Sequence, residues 1–599
     1  MMQETVVPAP TGGGATVGSE ERQLIRSIDW TGAFWIASGI PAAFLFSIGG
    51  IAGTTGKLAF LVWMISITMG FFQSFTYAEI AGMFANKSGG ASVYGATAWI
   101  RYSKLVAPLS VWCNWFAWSP VLSLGCAIAA AYLLNAFAPI PSVDSSVVKE
   151  WVSAHAGTAI DAQRITEWLA ANAGKTAIDA QQALLQSDAV AALTPAIRTW
   201  ELASFDILGL ASAHLNATFF IGAALMLIIF AIQHRGVAAT AGVQKLIGMV
   251  VIGTIAVVGV TPILMGKIDW SNFANLVPPA APYSAEPGAW SNGGWTLFLG
   301  GLFIAAWSTY AFENAVCYTS ELKDPKRDTF KAIFYSGLLC LVMFSLVPFT
   351  FQGVLGVQGM LDPSILDGSG VGAALAGMVG GGPVVLSLLV GLMILAVVLN
   401  IMTAMAGSSR TLYQGSVDGW LPKYLSHVNE NGAPTRAMWT DLVFNLGLLA
   451  LASDPAGYFF VLAVANVGYI IFNFLNLNAG WIHRIDSPHV ERPWRAPTFL
   501  IGFNTLLAFV NCVLLGAGAK VWGYSNALWV GFGFAALIIP VFIFRHYVQD
   551  KGQLPACALI DLGVAQGSLG ERRAGILPYV ALIAGVAVVL VSNEFFQLP

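Results

Sequence analysis

In the stretch "AAWSTYAFENAVCYTSELKDPKRDTF" (residues 305–330), an apolar run breaks at Ser308, Thr309 and Tyr310 and then presents Glu313. An ionisable side chain inside an apolar segment is costly and reads first as functional: a group able to take up and release a proton. The cost falls where a helix begins, because the first turn offers unpaired N–H groups and the positive end of the helix dipole. Glu313 is therefore expected to open the second half of a broken helix, as a coupling or gating residue. The plainer reading is a carboxylate that only stabilises the break. Lys323, Lys326 and Arg327 mark the point where the segment leaves the membrane on the cytoplasmic side.

A second interruption lies in "FWIASGIPAAFLF", where Ser38, Gly39 and Pro41 stand mid-run. Pro41 lacks a backbone donor and disfavours helix at Ile40. Paired interruptions at corresponding places in two halves of a chain point to a midplane site held by half-helix ends and free backbone groups. Other chemistries find less support. "GGIAGTTGKL" (49–58) imitates a phosphate loop, but Ile51 replaces the first glycine and Leu58 the magnesium-binding hydroxyl. The six cysteines (113, 126, 317, 340, 512, 557) show neither disulfide nor zinc spacing, and the seven histidines lie in loops or at run ends. No enzyme and no resident cofactor is expected.

The elements that must position these residues are membrane helices. With 57% hydrophobic residues, 10% charged and a mean hydropathy of +0.71, the 599-residue chain cannot cover a soluble globule of its size. Thirteen runs can cross the hydrocarbon: near 30–52, 57–84, 105–138, 214–233, 238–266, 294–318, 331–357, 383–409, 437–453, 456–481, 497–518, 522–544 and 574–593. They lack dyad alternation, so they are helices rather than barrel strands. Most of the 28 Lys and Arg fall where the tail and inner loops lie if the N-terminus is cytoplasmic, which sets that orientation in a cell membrane. The tail has no apolar core resembling a signal peptide, and the net charge of −3 argues against a nucleic-acid partner. The segment 139–213 has soluble composition and carries "TAIDAQ" twice, at 158–163 and 176–181. Thr followed by Asp three residues later is a capping-box variant, so two short helices are expected in an outer insert.

Three stretches resemble the amino acid/polyamine/organocation permeases: "AWSTYAFENAVCYTSELKDPKRDTFKA" their sixth span, "YAEIAGMFANKSGGASVYGATAW" (77–99) the end of their second, and "SSRTLYQGSVDGWLPKYLSHVNENGAP" (408–434) the loop after their eighth. The resemblance implies an all-α polytopic protein of the leucine-transporter type, five helices and five inverted, with extra helices at the C-terminus. Its divisions here would be a tail (1–29), a first repeat (30–266) containing the insert 139–213, a second repeat (267–481) and additional helices (482–599). It implies a secondary active transporter of an amino acid or related amine working by alternating access. The substrate carboxylate would meet backbone near Ser38, Gly39 and Ile40. Its amine would face Ser308, Thr309, Tyr310 and Phe312, and Ala117 and Trp118 would complete the wall. Thr403, Ser408 and Ser409 could supply oxygens for sodium if sodium rather than protons drives transport. Some proton-coupled members carry a lysine inside span five; here Lys245 stands only at its start, with Val251 at the expected place. Glu79 reads as a structural acid at an inner end. The alternative function is a nutrient sensor or channel-like regulator on the same scaffold. Oligomeric state is not legible.

Overall fold

The computed structural model describes residues 24–599 apart from 142, 144, 156–159, 172–175, 208, 367, 523–525 and 556–569. The Pro/Gly/Thr stretch of the tail, Thr158 and Cys557 lie outside the described residues. Each of the thirteen expected runs contains helix. Among the described residues, ten helical runs are long and apolar enough to cross a membrane. The first of them, Trp30–Met83, has 54 residues, which at 1.5 Å per residue is roughly 80 Å, far beyond one bilayer. It divides at Gly56, where φ is +56° and ψ −125°, into span one (Trp30–Thr55) and span two (Ala59–Met83). The others among the ten are span three (Val106–Phe137), span five (Val237–Leu264), span six (Asn292–Glu321), span seven (Pro325–Met360), span eight (Gly382–Val417), span ten (Pro455–Asp486), span eleven (Thr498–Val521), span twelve (Ala527–Gln549) and span thirteen (Leu577–Phe595). Span four (Ala217–Gln233) is shorter, and span nine (Thr435–Ala452) carries polar residues that lower its hydropathy.

Span one begins on a side-chain cap. The Asp29 carboxylate accepts from the Thr31 hydroxyl at 2.6 Å and from the Gly32 amide at 2.9 Å, and these bonds hold its carboxyl below the usual range. After Ile36 the chain tightens into a 3₁₀ segment, Ala37–Phe46, before returning to α-helix at Ile48–Thr55. Span six is α-helical over Asn292–Thr309 and 3₁₀ over Ala311–Glu321. The two 3₁₀ segments touch each other, and span eight lies along that of span one. Small residues permit the approach: a Cβ on Gly39 would stand 2.6 Å from the Leu399 carbonyl oxygen. The phosphate-loop lookalike is buried helix in span one, as its sequence departures imply.

The outer insert is richer than expected. It holds helices at Ser146–Ala154, Ala162–Ala171 and Ala177–Leu193, then an antiparallel pair of strands, Glu201–Ile207 and Ala211–Asn216. The second "TAIDAQ" does cap a helix: the Asp179 amide donates to the Thr176 hydroxyl, and the Thr176 amide donates to the Asp179 carboxylate at 2.8 Å. The strands escaped notice because "ELASFDILGLASAHLN" has little alternation in side-chain polarity and leads directly into span four.

Span thirteen packs along span eleven. The segment after it clasps the start of span six, where Asn292 donates to the Phe595 carbonyl at 2.9 Å and accepts from the Gln597 amide at 2.7 Å. Thr296 donates to the Gln597 carbonyl at 2.8 Å.

Candidate functional site

Between the two breaks lies a narrow cavity of about 10 Å³ lined by Ile40 and Ala43 of span one, Ala117, Trp118 and Val121 of span three, Trp307 and Ala311 of span six, Asn400 of span eight and Tyr469 of span ten. Its open centre has barely room for one water molecule. Cross-links hold the walls together: Trp307 Nε1 donates to the Ala117 carbonyl at 3.0 Å, Ser308 Oγ to the Ala43 carbonyl at 3.2 Å, and Asn400 Nδ2 to the Gly39 carbonyl at 3.0 Å.

Of the residues expected to surround a substrate, Ile40, Ala117 and Trp118 line this cavity, and Ser308 bridges the two breaks. The others face elsewhere. Ser38 is turned towards Gly248 of span five, Gly39 packs on span eight, and Phe312 packs on Gly337 of span seven. Thr309 meets Ser66 of span two at 2.6 Å, and Tyr310 donates to Asn511 of span eleven at 3.1 Å. A helix break exposes backbone on one side only, so consecutive residues cannot all face the same cavity. Ala43, Val121, Trp307, Ala311, Asn400 and Tyr469 were not foreseen, although Ala43, Trp307 and Ala311 stand in quoted stretches.

Glu313 is fully buried in the 3₁₀ segment of span six. Its Oε1 accepts from Trp118 Nε1 at 3.0 Å, which ties the carboxylate to the cavity wall. Among the described residues its Oε2 has no partner within hydrogen-bond geometry; the Ala91 amide and Asn114, whose amide nitrogen is also unpaired among those residues, lie beside the carboxylate. The expectation that this carboxylate meets a helix start is met by a different helix. Ala91–Trp99 begins beside it, after Gly89 and Gly90 with φ of +90° and +89°, a conformation open to glycine without a Cβ penalty. The Gly-Gly of the second motif therefore aims a helix N-terminus at Glu313.

The three hydroxyls expected to hold sodium do not converge. Thr403 Oγ1 lies at the first break, 2.6 Å from the Ile36 carbonyl and 3.0 Å from that of Leu399. Ser409 donates to its own helix at Met405, 2.8 Å, and Ser408 donates to Asp441. Asp441 is a buried carboxylate of span nine that the sequence reading passed over; "WTDLVFN" was its only signal. It also accepts from Trp115 Nε1 at 2.9 Å and Ser119 Oγ at 2.5 Å. Among the described residues, no group of three or more His, Cys, Asp or Glu side chains could hold a metal ion.

One end of the bundle is sealed by ion pairs: Lys87 with Asp418 at 2.5 Å, Arg410 with Glu321, and Glu79 with Arg484 at 2.6 Å and Arg492 at 3.2 Å. Glu79 also accepts from the Ala496 amide at 2.8 Å, the geometry of a structural acid. Lys323, Lys326 and Arg327 are exposed at this end, Lys326 pairing with Glu491 at 2.6 Å.

Comparison with known proteins agrees with this architecture. The chain is 23% identical over 298 residues to the branched-chain amino acid permease BcaP of Lactococcus lactis subsp. cremoris (strain MG1363), a match covering 48% of this chain and 58% of that protein. The chain thus spans a little over half the length of that relative. The sequence model of the amino acid permeases matches residues 28–544, which takes in both broken spans and the helices around the cavity. The chain belongs to the amino acid permease family.

Proposed function

We propose that this multi-pass membrane protein is a secondary active transporter that carries an amino acid or related amine by alternating access. The observation that carries the reading is the meeting of two interrupted spans around a small buried cavity, with Ile40 and Ala43 on one side and Trp307 and Ala311 on the other. The 3₁₀ segments leave backbone groups outside the regular α-helical pattern, the arrangement that suits a zwitterion at the midplane. The cavity is too tight for an amino acid as it stands, so the described conformation is closed, and transport requires its walls to part. Residues 30–266 and 267–481 act as the two repeats that move against each other, 482–599 add helices outside them, and the N-terminal tail is cytoplasmic.

Glu313 is the coupling residue in this reading. Its proton would come and go as the Ala91–Trp99 helix start and Trp118 move relative to span six, since these groups control how well its charge is compensated. Proton coupling through this residue has more support than sodium coupling, for which Thr403 alone lies at the first break.

The test is uptake of labelled amino acids and polyamines into proteoliposomes under a pH gradient, a sodium gradient, preloaded amino acid, or no gradient. Accumulation against a gradient is expected for at least one amino acid. Binding without accumulation under every condition would replace the transporter with a sensor. Gly39→Leu, which would force a side chain into the backbone of span eight, is expected to abolish binding while membrane insertion is retained.

A further inference from the structure

Tyr469 sits mid-way along span ten, 1% exposed, and is one of the residues lining the cavity. Aromatic neighbours fix its position: Phe472 at 4.6 Å between ring centroids, Tyr310 at 6.1 Å and Trp118 at 6.4 Å. Its hydroxyl has no hydrogen-bond partner among the described residues. A buried tyrosine usually pairs its hydroxyl, because desolvating that group without compensation costs free energy. Three other tyrosines of the bundle core follow the rule: Tyr310 donates to Asn511, Tyr318 to Asn314 and Tyr458 to the Phe46 carbonyl.

The remaining lining is apolar except for Asn400, whose amide nitrogen already bonds Gly39, and the indoles of Trp118 and Trp307, which donate to Glu313 and Ala117. The side-chain polar donors of the wall are therefore engaged with the protein, except at Tyr469. We propose that the Tyr469 hydroxyl hydrogen-bonds the charged head group of the substrate, while Ile40, Ala43 and Val121 receive its side chain and select a neutral, apolar amino acid. This rests on the transport reading above and names the substrate class for the same cavity.

The test is Tyr469→Phe, assayed with L-leucine in proteoliposomes beside wild type, with L-lysine and L-glutamate as competitors. Because the hydroxyl bonds no described residue, the variant should keep the thermal unfolding midpoint of wild type in detergent. KM for L-leucine should rise roughly tenfold or more, the loss expected for a hydrogen bond to a charged group, with kcat changed less. Neither charged competitor should inhibit wild type at concentrations where unlabelled L-leucine does. An unchanged KM in Tyr469→Phe, with wild type transporting normally, overturns the role of the hydroxyl and leaves the transport reading intact. Equal inhibition by L-lysine or L-glutamate overturns the substrate class. Failure of wild type to transport any amino acid sinks the transport reading itself. If Tyr469→Phe proves unstable, L-leucine affinity measured by thermal shift on Tyr469→Phe and on Trp307→Phe separates a lost substrate bond from general loosening: equal weakening in both overturns the proposal.

Discussion

Glu313 and Asp441 are both fully buried carboxylates within membrane spans, and they are compensated differently. Asp441 accepts from three side-chain donors, Trp115, Ser119 and Ser408, and Asn445 braces Ser119 from behind at 2.7 Å. Among the described residues Glu313 accepts from Trp118 alone, with its other oxygen beside an Asn114 amide that has no partner there and a helix start. A carboxylate held from both oxygens inside a rigid set of donors can only be a brace, because every movement of spans three, eight or nine would strip a partner from it. One held from a single side, next to the wall of a cavity, has partners to gain and lose. Burial alone therefore does not distinguish structural from functional acids in a membrane protein; the count and rigidity of the donors does.

Four substitutions sharpen or break this contrast. Asp441→Ala orphans three buried donors and should lower folding stability by about 3 kcal/mol or more, read as a large drop in unfolding midpoint in detergent; a wild-type midpoint would end the bracing role. Glu313→Gln should leave folding stability within about 1 kcal/mol of wild type yet flatten the pH profile of uptake. A normal pH profile at normal expression would reduce Glu313 to a stabiliser of the break. Gly90→Ala forces a residue at φ +89° to carry a Cβ 2.9 Å from Cys317 Sγ, with an expected cost of about 1–2 kcal/mol and altered pH response, since it displaces the helix start from Glu313. Ser408→Ala removes one of the three donors to Asp441 and should cost about 1 kcal/mol with the pH profile unchanged; a shift in that profile would mean the two carboxylates are coupled.

The first break was legible because proline acts locally: Pro41 cannot donate wherever it is placed, and the 3₁₀ segment found at Ala37–Phe46 contains it; the second was marked by polar Ser308 and Thr309 and by Glu313 within an apolar run. Which side of each break faces the cavity was not legible. Gly39 and Thr309 are turned away by contacts with spans eight and two, and those contacts join residues hundreds of positions apart in the chain. Tyr469 and Asn400 stand in long apolar helices with no motif around them, so nothing local marks them as lining residues.

Amino-acid composition and the lengths of the apolar runs by themselves determined that this chain is a bundle of membrane helices, because a bilayer demands internally satisfied backbone over a fixed thickness. The local residues at 38–41 and 308–313 likewise determined where two helices are interrupted. The tertiary structure alone decided which helix start meets Glu313, since Ala91 lies more than two hundred residues before it and only packing brings the two together. It alone decided that Asp441 is satisfied while Tyr469 is not. Hydrogen-bond satisfaction depends on which donors neighbouring helices present at a given depth, and that is a property of the assembled bundle rather than of any one segment.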